Sequence, residues 1–142
     1  MLFRSGCDWN AYTCQAAAEG GHLEVLQWLR ANGCDWNAAT CMMAAKGGHL
    51  EVLQWARANG CAWGVDTCWA AAQGGHLVVI QWLRANSCPW SDSTCYGAVE
   101  GESLEVLQWA RANGCGWDRA DCLRLAPAGS EMQEWIHAQP AW

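Results

Sequence analysis

Ten cysteines, four histidines and twelve tryptophans are the residues of this 142-residue chain with chemistry to offer. One cysteine series falls at 7, 34, 61, 88 and 115, and a second at 14, 41, 68, 95 and 122. Paired thiols could close disulfides, and the C-x6-C spacing of Cys7 and Cys14 recurs five times. Zinc would call for closer pairs such as C-x2-C converging in a tetrahedron, and the chain has none. The opening MLFRSGC shows no charged stretch leading into an apolar one, so it does not read as a secretory signal. Ten evenly laddered cysteines behind such an opening make a poor staple framework. Small buried apolar groups are the reading that remains for them, since free Cys packs as a small hydrophobe.

His22, His49 and His76 each follow a Gly-Gly pair, and Ser103 and Ser130 take their place further on. Serine is a good cap, so the exchange suits a local capping role and suits a ligand or a catalytic base badly. No Ser-His-Asp, Cys-His or paired-carboxylate arrangement stands out, and the expectation is no catalysis, no cofactor and no metal. The tryptophans at 9, 36, 63, 90 and 117, and at 28, 55, 82 and 109, read as packing. Like tryptophans of adjacent units would touch, each burying roughly 150–250 Å².

Elements that repeat with these residues must position them. Every series steps by 27 residues, with Trp135 one residue early. GGHLEVLQW at 20–28 returns letter for letter at 47–55 and as GGHLVVIQW at 74–82. A fixed period of this size marks a stacked solenoid, in which one unit cannot bury its apolar face alone. Each unit is predicted to hold two helices. The first spans about 13–19, with Thr13 as N-cap, and Gly20-Gly21 stops it. The second spans about 22–32, with Leu23, Leu26 and Trp28 or Leu29 on one face, and Gly33 ends it as a left-handed C-cap. Ser87 replaces that glycine once, at about 1 kcal/mol if the turn is kept. The expected fold is all-α: a solenoid of five stacked helix-turn-helix repeats in a single domain over 1–142, with repeats near 7–33, 34–60, 61–87, 88–114 and 115–142. Gln133 and Glu134 stand where Leu26 and Gln27 stand in unit one, so the last unit reads as a polar cap.

The net charge of −6 and thinly spread basic residues exclude a nucleic-acid partner. No apolar run approaches the roughly 18 residues of a membrane span, so no membrane insertion is expected. The expected location is cytoplasmic, with an organellar one open if a targeting segment has been removed.

Ala17-Ala18, Gly21-His22-Leu23-Glu24 and Gly33-Cys34-Asp35-Trp36-Asn37 together resemble the ankyrin repeat, and the likeness extends over all five units. Ankyrin units run to about 33 residues. The shortfall lies after Asn37, where the family places its projecting β-hairpin finger, and the usual Thr-Pro-Leu-His opening of the first helix is absent. The resemblance implies an ankyrin-like solenoid that binds another protein without catalysis, its first helices lining the concave face.

In a repeat protein the message lies in what varies between units. The varying positions are Tyr12 and Asp66; Gln15, Met42, Trp69, Tyr96 and Leu123; Met43 and Arg124; and Lys46, Gln73 and Glu100. All lie on or just before first helices. The row from Met42 to Leu123 is either an exposed apolar stripe for a partner protein or packing between units. Nearby acidic groups favour a partner with basic ones. The alternative is a structural subunit of a larger assembly, docked through Leu2 and Phe3 at an open N-terminal edge.

Overall fold

The computed structural model describes residues 10–140. These form ten helices: α1 (Ala11–Glu19), α2 (Leu23–Ala31), α3 (Ala38–Lys46), α4 (Leu50–Ala58), α5 (Val65–Gln73), α6 (Leu77–Ala85), α7 (Asp92–Glu100), α8 (Leu104–Ala112), α9 (Arg119–Leu125) and α10 (Glu131–Ala138). Both helix series start at strict 27-residue steps. There is no strand among the described residues. The architecture is the all-α stack of helix pairs that the period predicts.

The first helices begin two residues before Thr13. Asn10 is the N-cap of α1, its side chain accepting from Tyr12 N at 2.9 Å. Thr13 sits at the third helical position, and its hydroxyl accepts from Asn10 N at 3.1 Å. The two side chains form a reciprocal box that satisfies two orphan donors. Asn37, Ser91 and Asp118 cap α3, α7 and α9 in the same place.

Each first helix buries its Cys, and α1, α3 and α5 bury an Ala pair with it, as Cys14, Ala17 and Ala18 do in α1, while α7 buries Ala98 and Val99. Those small side chains let successive first helices lie against one another, in the order α1, α3, α5, α7, α9. The second helices carry the bulk. Leu26, Leu53, Ile80, Leu83, Leu107 and Ile136 are fully or almost fully buried, each contributing about 1.5–3 kcal/mol. Leu26 and Leu29 form the inner stripe of α2, while Trp28 stays 45% exposed.

The joint between units is built from polar groups as well. Arg30 Nη1 donates to Cys34 O at 2.6 Å, as Arg57 does to Cys61 O and Arg84 to Cys88 O at the same distance. Arg111 donates likewise to Cys115 O. The same guanidinium groups lie over Trp36, Trp63, Trp90 and Trp117, 4.0–4.6 Å from the ring centroids. Those rings meet Trp55, Trp82, Trp109 and Trp135 edge-on, with centroids 5.6–6.0 Å apart. These pairs therefore join the loop and the helix tryptophan of one unit, not like tryptophans of neighbouring units. Edge contacts and a guanidinium over a ring face both suit the aromatic quadrupole.

The histidines do not cap their own helices. His49 Nε2 bonds Glu19 O at 2.9 Å, and His76 Nε2 bonds Lys46 O at 3.0 Å. A carbonyl only accepts, so Nε2 carries the proton, and the imidazole closes the end of the preceding unit's first helix. Gly47 rests on the same Glu19 carbonyl, where an added Cβ would come within 2.7 Å. Ser103 and Ser130 cap their own helices instead, accepting from Val106 N and Gln133 N. In the last unit Arg119 donates to Ile136 O and His137 O, holding the end of α10 from the start of α9.

Gly33, Gly60 and Gly114 follow the second helices with φ between 84° and 86°, and Ser87 holds the same turn at φ 66°. A side chain in that region costs about 1–2 kcal/mol, whereas glycine loosens the unfolded chain by about 0.4–1 kcal/mol. Ser87→Gly should therefore stabilise the protein by about 0.5–1 kcal/mol. Urea unfolding followed by circular dichroism measures it, and an unchanged or lower midpoint would refute the strain at this turn.

Candidate functional site

Positions 12, 15, 16 and 19 of α1 fall at helical spacing on the side away from its buried Cys14, Ala17 and Ala18. Tyr12 is 75% exposed and Tyr96 39% exposed. Lys46, Asp66, Glu100 and Arg124 are exposed with them, and Gln15 is half-buried. The side chain of Arg124 pairs with Asp121 on its own helix.

The rest of the candidate residues are partly taken up by the fold. Met42, Trp69 and Leu123 are half-buried and packed against the core. Met43 is half-buried, while its equivalents Ala70 and Gly97 are buried. That row is interior in the middle of the stack because the neighbouring first helix covers it. Gln73 is half-buried, with an Oε1 that has neither solvent nor a partner. Leu2 and Phe3 lie outside the described residues.

Trp69 shows how the covering works. Its indole Nε1 donates to Glu100 Oε1 at 3.0 Å, across to the next unit. Its ring lies over Gly97, where an added Cβ would stand 2.8 Å from Trp69 Cδ1 and 2.9 Å from Trp69 O. Three varying residues in two adjacent units are thus one packing arrangement. The sequence signal was present: the largest residue of one row and the smallest of the next occur in consecutive units.

The cysteines fill the joint. Cys34 Sγ donates to Asn10 O at 3.2 Å, and Cys61, Cys88 and Cys115 reach the equivalent carbonyls of Asn37, Gly64 and Ser91. Cys14 Sγ donates to Cys34 Sγ at 3.1 Å. The thiols brought together are therefore twenty residues apart, and not those of the C-x6-C spacing. Cys7 lies outside the described residues. Burial first, and then the bond to Cys34, pushes the Cys14 thiol up to about 12. Burial, aided by Asp118 and Asp121, pushes Cys122 up to about 11. While the joint is closed such thiols stay protonated at neutral pH and do not act as nucleophiles. No group of three His, Cys, Asp or Glu among the described residues could hold a metal ion. No helix among them is long and apolar enough to cross a membrane.

Alanine would ordinarily improve on glycine in a helix by about 1 kcal/mol. At position 97 the clash with Trp69 dominates, because overpacking costs about 1–3 kcal/mol and one of the two atoms struck is backbone. Gly97→Ala should lower stability, and Trp69→Leu should relieve the loss in the double variant. Chemical denaturation of the four proteins tests this, and strict additivity would show that the two residues do not share the space.

No curated protein matches the chain. Residues 14–57 match the family model of ankyrin repeats (many copies), spanning α1 to α4. The pairs α5–α6 and α7–α8 keep the same 27-residue step and the same buried positions, and α9 and α10 start on the same step, so the all-α stack is ankyrin-like.

Proposed function

We propose that this protein is a non-catalytic binding module that recognises a partner protein through the face formed by its first helices. Ankyrin repeats are in general modules of protein–protein interaction, which supports the class of function. The observation that carries the choice of face is that Tyr12 and Tyr96 stay exposed on helices whose opposite side is fixed core. Residues at these positions change from unit to unit while the joints beneath them stay the same. Tyrosine brings large contact area at little entropic cost and is favoured at interface hot spots.

The first helices pack directly on one another and carry the smaller residues, which supports a stack curving towards them and a concave binding surface. Asp66, Asp92, Glu100 and Glu102 are exposed and favour a partner with basic groups. The compartment we propose is the cytoplasm.

Trp69 belongs to the fold, so the test uses the two exposed tyrosines. Wild type and a Tyr12→Ala/Tyr96→Ala variant of equal helicity are used as bait in lysate of the source organism, and the proteins captured are compared. A partner weakened about tenfold or more in the variant is expected. A partner held equally by both overturns the assignment of this face.

A further inference from the structure

Each joint between neighbouring units holds two facing thiols. Cys14 meets Cys34 with their sulfurs 3.1 Å apart. Cys41 and Cys61, Cys68 and Cys88, and Cys95 and Cys115 stand at the equivalent buried positions of the next three joints, and in each pair the partner thiol is the strongest influence on the titration of one member. All eight are 1% exposed or less. A disulfide needs the sulfurs at about 2.05 Å, so closing the first pair takes about 1 Å of movement shared between two side chains. Burying apolar volume does not require sulfur to face sulfur: the Ala pairs beside them fill the same layer with no such match. Cys122 has no facing thiol of this series, since the position twenty residues on is Trp142.

We propose that these four pairs are disulfide-forming sites, a ladder of covalent braces across the joints, closed by a small disulfide such as oxidised glutathione. In the first step one protein thiolate attacks the glutathione disulfide, forming a mixed disulfide and releasing one glutathione thiolate. The facing protein thiolate then attacks the protein sulfur of that mixed disulfide and releases the second. Two protein thiols are oxidised, one glutathione disulfide is reduced to two thiols, and both protons pass to the departing glutathione. The buried thiols meet the reagent while a joint is open, during folding or fraying, and the closed joint then holds the pair in register. In a reducing thiol pool they stay as the hydrogen-bonded pairs described above. Each brace ties a first helix to the loop that opens the next unit and restricts the unfolded chain.

Trypsin distinguishes this pairing from the C-x6-C alternative. Arg30 separates Cys14 from Cys34, Lys46 and Arg57 separate Cys41 from Cys61, Arg84 separates Cys68 from Cys88, and Arg111 separates Cys95 from Cys115. No Lys or Arg lies between Cys7 and Cys14, Cys34 and Cys41, Cys61 and Cys68, or Cys88 and Cys95. The full chain is refolded in an oxidising glutathione buffer, quenched with acid, alkylated and digested. A second sample is incubated with the same buffer without ever being unfolded.

The expected refolded product is helical, about 8 Da lighter than the reduced chain, and melts higher. On digestion, segments 5–30, 31–46, 58–84, 85–111 and 112–119 remain joined as one species that falls apart on reduction. The unperturbed sample should gain the same links more slowly. Cys34→Ala should lose only the link between the first two segments. Helical protein without links in both samples, bonds within single segments, or a linked product that melts no higher would each overturn the proposal.

Discussion

Close approach of the first helices is the constraint on which the rest of the stack depends. Ala18, Ala44, Ala45, Ala71, Ala72 and Ala98 are fully buried between neighbours. A larger side chain at any of them would separate two helices and open the layer behind. Close packing is unforgiving of even one added methylene. The same demand appears where Trp69 covers Gly97 and where Gly47 rests on Glu19. With the inner layer this thin, the outer layer must supply the volume, and it does so with leucines, two isoleucines and the tryptophan pairs.

The residue types that elsewhere do chemistry are committed here to closing the backbone. An Arg guanidinium takes the carbonyl of the unit's opening cysteine. A thiol takes the carbonyl of the preceding N-cap residue. An imidazole takes the last carbonyl of the preceding first helix, and an Asn amide takes that of Trp28. Helix ends leave such groups unpaired, and buried ones are costly if left so. Short helices have many ends for their length, which is why a chain of seven- to nine-residue helices spends so many polar side chains on this task.

The repeat, the two helices per unit and the buried cysteines were legible because they follow from the 27-residue step and from burial. What the step could not convey was which partner a residue meets across the joint. Thr13 looked like a cap because its hydroxyl does serve the helix start, but Asn10 stands three residues earlier and does the capping. The tryptophan series suggested like meeting like, whereas the loop residue folds back on the helix of its own unit. The varying rows suggested a surface. They include Gly97 and Trp69, which vary together because one makes room for the other. Periodicity records what each unit repeats and is silent on how two units compensate, so Tyr12 and Tyr96 remain the part of the face with exposed aromatic area.

The arginine joint has one more consequence. Arg30, the Cys34 carbonyl, Trp36 and Trp55 all come from two consecutive units, and the next joint uses the same groups at the same spacing. Nothing in this arginine cluster identifies its place in the series. Removing or inserting 27 residues at equivalent points would leave every remaining arginine cluster made of the same groups, whereas the Trp69–Gly97 contact belongs to one joint alone. In this cluster the units are interchangeable parts, and no contact within it counts them.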